Sequence, residues 1–148
     1  MIEIKTILVP IDFSEHSKKA TETAIGLAKT LGANIHMTHV LHYPVQVAAP
    51  GTVAIPQDLW TQIRDAAARK LDKAGQTVSA EGIEVETHLT EGANAQAIIE
   101  VAEKVGADLI VMGTRGLSGL KHVMLGSVAE RTVRLAPCPV MTVKTDDE

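Results

Sequence analysis

The chain has 148 residues and a formal net charge of −4 at pH 7, with no block of basic side chains. These properties disfavour a nucleic-acid partner, and few aromatic side chains are present to stack on single-stranded bases. No apolar run reaches the ~20 residues that span a bilayer, so membrane insertion is not expected. We predict a single domain over residues 1–148. The lone cysteine and the lack of a signal peptide indicate the cytoplasm.

The first predicted strand covers residues 6–9, an apolar and β-branched run. Ser14 is the predicted N-cap of the helix that follows, and Gly32 is expected to end it. A second strand is predicted over residues 34–41. The residues expected on the buried face of the helix are Ala20, Ala24, Leu27, Ala28 and Leu31.

Residues 43–56 form the longest irregular stretch and contain three of the six prolines. A loop of this length in a compact domain is usually functional or mobile. The third strand, predicted over residues 83–89, alternates strictly between apolar and polar side chains, which places it at an edge of the sheet. Between loop and strand lies a helix with a predicted apolar face of Leu59, Ile63, Ala67, Leu71, Ala74 and Val78.

The third helix is expected to start near Gly92 or Asn94, both candidate caps, and to end at Gly106. An apolar run at residues 109–112 is typical of a buried parallel strand. A helix over residues 128–136 and a strand over 140–143 complete the elements, and the polar tail from residue 144 should fray.

The alternation of strands and helices predicts an α/β fold. We expect a doubly wound, five-stranded parallel sheet in the order 3-2-1-4-5, with helices on both faces. Ligands of such sheets bind at the carboxyl ends of the strands, where the strand order reverses. In this order Pro10 and Asp12 would meet Gly113 at that point.

The fourth strand is followed by the pattern G-x2-G-x9-G-S, formed by Gly113, Gly116 and Gly126-Ser127. It matches neither the dinucleotide fingerprint nor the lysine-bearing NTPase loop. A strand, a glycine-rich loop and a helix start nevertheless suit a phosphate group, because backbone N–H groups approach the anion closely. Ser127 and Glu130 also read as a capping box, which is compatible with a phosphate contact from the serine hydroxyl.

This glycine pattern, behind a strand reading Asp-Leu-Ile-Val-Met-Gly, resembles the ATP-binding branch of the universal stress protein family. Val-Pro-Ile-Asp after the first strand and Cys-Pro-Val before the last are similar as well, and the resemblance covers essentially the whole chain. It implies a Rossmann-like fold of the adenine nucleotide alpha hydrolase type. It also implies a homodimer that binds ATP and has a regulatory role.

The resemblance implies which residues form the site. Pro10, Ile11, Asp12 and Val40 would surround the adenosine, and the carboxyl end of the fourth strand, at Met112, would adjoin it. Ribose and phosphates would contact Gly113, Arg115, Gly116, Gly126, Ser127 and Val128. The chain departs from the family at the start of the third helix, where Ala93-Asn94 replace an acidic cap and a proline. We expect that change to affect helix stability rather than the site.

Asp12 has two interpretations. It can cap the turn that follows the first strand, or it can bind the nucleoside or Mg²⁺, a hard cation suited to carboxylate and phosphate oxygens. Arg115 and Lys121 can neutralise phosphate, although isolated loop cations are often only solvated. His36 and His39 point to opposite faces of the second strand, so these histidines do not predict a zinc site. His122 and Cys138 have no evident catalytic partner.

Three functional classes follow. An ATP-binding regulatory module is favoured, with a homodimer formed through the edge strand at residues 140–143. An ATP-consuming enzyme is less favoured, because the Ser-Gly-Gly-x-Asp-Ser loop of the related ATP pyrophosphatases is absent and no nucleophile–base pair is evident; slow hydrolysis stays open. A phospho-acceptor receiver lacks the aspartate it needs after the third strand. A nucleotide-independent member of the stress family is the remaining alternative, and no protein partner is indicated.

Overall fold

A computed structural model describes residues 1–42, 56–116 and 125–145. Residues 43–55 of the predicted loop, residues 117–124 with Lys121 and His122, and the last three residues lie outside the described part. The elements are β1 (Thr6–Pro10), α1 (Glu15–Leu31), β2 (Asn34–Leu41), α2 (Gln57–Ser79), β3 (Val85–Glu91), α3 (Asn94–Val105), β4 (Leu109–Gly113), α4 (Ser127–Leu135) and β5 (Val140–Val143).

The five strands form one parallel sheet in the order β3-β2-β1-β4-β5, as predicted. The order reverses between β1 and β4, so the carboxyl ends of these two strands meet at the switch point. The edges are β3 and β5, again as predicted. Within the described ranges, no helix is both long and apolar enough to cross a membrane.

Two hydrophobic clusters cover the two faces of the sheet, because alternate residues of the central strands point to opposite sides. Ile7 and Val9 of β1 pack with α1 and α2 on one face. Leu8 of β1 and Met112 of β4 pack with α3 and α4 on the other. The central strands are therefore almost wholly buried and hold the switch point rigidly between the two helix layers.

The predicted ends of α1 and α3 are confirmed. The Ser14 hydroxyl accepts a hydrogen bond from the Ser17 N–H, and so caps α1. Gly32 and Gly106 end their helices in the left-handed conformation, which glycine adopts without steric cost.

The buried helix faces differ from the prediction at their ends. Leu31 is exposed at the last turn of α1, and Leu59 and Ile63 are exposed on α2. Trp60 takes their place and packs with Leu41 at the first turn of α2. The helical spacing predicted Leu59 on the buried face of α2, but the larger side chain of Trp60, next to it, is the one buried against the sheet.

α3 starts at Asn94, as expected, but the span of β3 and the cap of α3 differ from the prediction. β3 runs from Val85 to Glu91 rather than over residues 83–89, because its pairing follows β2 from Ile35 to Leu41. Neither Gly92 nor Asn94 caps α3: the N-cap is Ala93, which makes no side-chain capping bond.

Candidate functional site

A cavity of about 440 Å³ opens at the switch point, between the ends of β1, β2 and β4 and the starts of α3 and α4. It brings together ten of the eleven residues that the sequence predicted for the site. These are Pro10, Asp12, Val40, Met112, Gly113, Arg115, Gly116, Gly126, Ser127 and Val128.

Ile11 is the exception. Its side chain is buried in the core and is not part of the cavity lining. Its backbone is committed as well, since the N–H donates to Thr38 O at 2.8 Å and the carbonyl lies 2.8 Å from His39 Nδ1. Ile11 therefore holds the end of β1 in place.

Asp12 is fixed by its own turn. Its Oδ1 accepts hydrogen bonds from the N–H and the hydroxyl of Ser14, the residue that caps α1. The capping role expected for Asp12 is therefore present, and it determines how the carboxylate is presented to the cavity. The other oxygen, Oδ2, faces the loop after β4, where an added Cβ on Gly116 would lie 2.6 Å away.

Phe13, next to Asp12, has a φ of 65°, a conformation that is rare for a residue with a side chain. Its ring packs against the His39 ring with centroids 4.5 Å apart, and Lys70 Nζ lies 5.5 Å from its centroid. These contacts hold the turn in a strained shape, of a kind that clusters at functional sites.

The end of the loop after β4 is hydrogen-bonded to the beginning of the same loop. The Gly126 N–H donates to Thr114 O at 2.6 Å, and an added Cβ on Gly126 would lie 3.2 Å from that oxygen. The first turn of α4 is thereby placed against the end of β4. Gly126 is needed for this close approach of two backbone segments, and its φ of −67° requires no left-handed conformation.

The predicted capping box is wrong. The N-cap of α4 is Gly126, Ser127 is the first helical residue, and no side chain in the described part of the chain caps this helix. Ser127 and Val128 in the first turn line the cavity, and first-turn amides have no acceptor within their own helix. Uncapped amides and the helix dipole together favour an anion at this position.

Gly113 serves helix packing. An added Cβ would lie 2.7 Å from His16 Cβ and 2.9 Å from the His16 carbonyl carbon. The glycine lets the end of β4 contact the first turn of α1. Gly113 also lines the cavity, so the expected approach of its backbone to a ligand stays a prediction.

Sequence reasoning missed several lining residues. His39 follows from its place at the carboxyl end of β2, and Ile98 belongs to the buried face of α3. Asn94 also lines the cavity, so the departure from the family pattern at Ala93-Asn94 falls at the site and not only on the helix. Asn94 could have been predicted from the sequence, because it lies in the first turn of a helix that starts beside the switch point.

The lining combines two kinds of chemical group. Val40, Ile98 and Met112 belong to one buried apolar cluster, which suits a flat aromatic ring. Asp12, Arg115 and the first turn of α4 line the same cavity. The cavity thus offers both apolar contacts and groups that can bind an anion.

Other candidate residues lie elsewhere. Lys121 and His122 are outside the described residues. Cys138 is half-buried against the α3–α4 core, and burial, assisted by the charge of Asp108, raises the pKa of its thiol. A raised pKa reduces the reactive thiolate fraction, in keeping with a structural role.

Comparison with known proteins gives a family match over most of the chain. Residues 3–144 match the model of the universal stress protein family. A universal stress protein of Methanocaldococcus jannaschii, MJ0531, is 38% identical over 142 residues, which cover 95% of this chain and 82% of that protein.

Solved structures agree with the fold. The structure of hypothetical protein MJ0577 superposes with a TM-score of 0.85 at 25% identity, covering 99% of this chain and all of that one. A universal stress protein crystallised in complex with cAMP has a TM-score of 0.71 at 26% identity, covering 96% of this chain and 98% of the other.

Proposed function

The chain belongs to the universal stress protein family, and on that premise we propose that it binds ATP with Mg²⁺ and acts as a regulatory module. One observation carries the proposal: the cavity at the switch point is lined both by an apolar cluster and by the uncapped first turn of α4. A purine ring fits the first and a phosphate group the second. The proposal places this activity in the cytoplasm.

The charge of Asp12 supports a cation in the complex. A carboxylate that lines the same cavity as the phosphate groups would repel them. Mg²⁺ removes this repulsion, because it is commonly held by one or two carboxylates together with phosphate oxygens. Asp12 is the proposed magnesium ligand, and Arg115 supplies further positive charge.

Adenine is the proposed base. Val40 and its neighbours at the end of β2 offer backbone groups to the base edge, and the apolar cluster contacts its faces. ATP should therefore bind more tightly than GTP in a competition assay. Equal affinities would contradict adenine recognition.

The role is regulatory rather than catalytic. In the described part of the lining, the Ser17 hydroxyl is bonded to backbone groups and His39 Nδ1 lies next to the Ile11 carbonyl, so no serine is paired with a histidine base there. Hydrolysis in this arrangement would be slow at most. A relative with a bound cAMP favours one alternative, a sensor of adenosine monophosphates in the same cavity.

Titration calorimetry of the full chain with Mg·ATP, Mg·GTP and cAMP tests the function. We expect one ATP per chain and a melting temperature that rises with ATP concentration. A preference for cAMP over Mg·ATP would favour the alternative. The absence of heat and of a thermal shift with all three nucleotides at millimolar concentration would reject nucleotide binding and leave the nucleotide-independent module.

We also propose a homodimer formed by antiparallel pairing of two β5 strands. β5 is an edge strand, and Met141 is 38% exposed on it. Pro139 O and Val143 O accept hydrogen bonds from the β4 side, so by alternation the N–H and C=O groups of Thr142 point to the free edge. An unpaired apolar edge is a template for a second strand.

Thr142→Pro tests this arrangement. Proline removes an outward N–H and leaves the bonds to β4 intact, as edge strands tolerate. Sedimentation equilibrium should give a dimer for the wild type and a folded monomer for the variant. A wild-type monomer at micromolar concentration, or a variant that stays dimeric, would contradict pairing through β5.

A further inference from the structure

A second cluster of functional side chains lies away from the nucleotide cavity. His36 on β2 and Glu86 on β3 are paired in the sheet register, and His88 follows two residues later on the same face. One ligand atom from each of the three side chains lies within 4.8 Å of the others. None of the three lines the cavity at the switch point.

The two histidines meet through their ring nitrogens. His36 Nδ1 and His88 Nε2 are 2.9 Å apart, and the ring planes are inclined by 23°. In this pair one nitrogen donates a proton and the other accepts it. Two imidazole nitrogens that converge on one point can instead share a metal ion, once the bridging proton has left.

Glu86 completes a set of three ligands. Its Oε2 lies 3.8 Å from His36 Nδ1, and its side chain is 69% exposed, so it can rotate toward an ion. Two ligands of one zinc ion, each ~2.0–2.2 Å from it, can be separated by up to about twice that distance. The separations of His36 Nδ1 from His88 Nε2, 2.9 Å, and from Glu86 Oε2, 3.8 Å, both lie within this limit.

The surroundings of the two histidines hold their rings in fixed positions. The His36 side chain is only 16% exposed, and both rings are carried by paired strands, which fix their positions. Burial, and then the neighbouring His36, lower the pKa of His88. Lys104 on α3 acts against a cation here, and the carboxylate of Glu86 offsets that charge.

We propose that His36, Glu86 and His88 bind a divalent transition-metal ion, with Zn²⁺ as the preferred occupant, and that the ion ties the edge strand β3 to β2. Two histidines and one glutamate form a donor set that Zn²⁺ accepts, with a remaining position for water. Mg²⁺ favours oxygen ligands and should not bind at this cluster. The site is independent of nucleotide binding.

Calorimetry with Zn²⁺ on the untagged, nucleotide-free full chain tests the site, with Co²⁺ absorption as a second readout. We expect one ion per chain, loss of saturable binding in His88→Gln, and weakening in Glu86→Gln by at least the ~10-fold that an outer-shell change costs. Glu84→Gln is the matched control, because Glu84 is an exposed carboxylate on the same side of the same chain segment.

The outcomes separate clearly. Zn²⁺ affinity that is unchanged in Glu84→Gln and reduced in the other two variants supports the site. No saturable binding to the wild type overturns the proposal. Binding that is retained in both His88→Gln and Glu86→Gln would place the ion elsewhere and overturn it too. Circular dichroism verifies that each variant is folded, and Glu86→Gln changes only an exposed side chain.

Discussion

Gly116 lies directly against Asp12: a Cβ added to the glycine would be 2.6 Å from Asp12 Oδ2. The loop after β4 therefore rests on the carboxylate at the end of β1. Asp12 cannot easily turn away, because its Oδ1 is bonded to the N–H of Ser14. This contact joins the two strands whose ends form the proposed nucleotide site.

Gly116→Ala should weaken Mg·ATP binding by about 10-fold, equivalent to about 1.4 kcal/mol, and leave the chain folded. The added methyl group displaces either the loop or the carboxylate that would hold Mg²⁺. Calorimetry measures the affinity. Gly26→Ala is the control, since its Cβ would meet no atom within 4 Å on an exposed part of α1. It should raise stability by ~1 kcal/mol and leave the affinity unchanged. Equal affinities for both variants would contradict the role of this contact.

Gly126→Val should remain folded and lose most ATP affinity. The side chain would press on Thr114 O, 3.2 Å from the new Cβ, and move the start of α4. Valine is also a poor N-cap, which costs ~1 kcal/mol of folding stability. No left-handed strain is added, because φ is −67°. Circular dichroism and an ATP titration measure the two effects, and wild-type affinity in a folded variant would place the phosphate elsewhere.

Ser127→Ala is the gentler change. Because Ser127 is inside the helix rather than its cap, its removal should alter the free energy of unfolding by less than about 0.5 kcal/mol. ATP affinity should fall modestly through loss of a hydroxyl at the phosphate end. A stability loss of a full capping bond, ~1 kcal/mol, would restore the capping-box interpretation.

The sequence was sufficient for the architecture. The alternation of strands with helices predicted the parallel sheet, and the alternation of apolar and polar side chains in β3 predicted one of its edges. Gly32 and Gly106 correctly predicted where two helices end. The sequence was insufficient where contacts between residues far apart in the chain determine the structure. Tertiary packing buries Trp60 rather than Leu59 in the core, and pairing with β2 determines where β3 begins and ends.

The sequence named residues that the fold brings together at the switch point, but it did not reveal the contacts that each of them makes. The glycine spacing located the loop, yet only the fold assigns Gly113 to contact with His16 and Gly116 to contact with Asp12. The histidines of β2 were compared with one another along their own strand. The partner of His36 is His88, 52 residues further along the chain, which strand periodicity alone does not reveal.

Thr38 and Thr132 are both buried, but their hydroxyl groups differ in hydrogen bonding. Thr38 is 1% exposed, and its hydroxyl has no hydrogen-bond partner among the described residues. The Thr132 hydroxyl donates to Val128 O at 2.7 Å. Thr38→Val should therefore raise the free energy of unfolding by ~1 kcal/mol, and Thr132→Val should lower it by up to ~1 kcal/mol. Denaturant unfolding measures both, and a destabilised Thr38→Val would indicate an additional partner of that hydroxyl.

Cys138 should react slowly with iodoacetamide. Burial and the charge of Asp108 raise the pKa of its thiol, so less thiolate is present at pH 8 than in a free thiol, and the rate should still be rising above pH 9. Asp108→Asn removes the charge and retains an oxygen for the bonds from Lys5 N and Thr6 N. The variant should react faster at pH 8. A wild-type rate equal to that of glutathione would contradict the raised pKa.

The location of the nucleotide is tested most directly by amide chemical shifts in a titration with Mg·ATP. A ¹⁵N-labelled full chain should show saturable changes that are largest at Asp12, Gly116, Ser127 and Val128, since these line the proposed phosphate end. The amides of Glu86 and His88, at the separate proposed metal site, should change little. Saturable changes centred away from the switch point, or none at millimolar ATP, would contradict the assignment of this cavity as the nucleotide site.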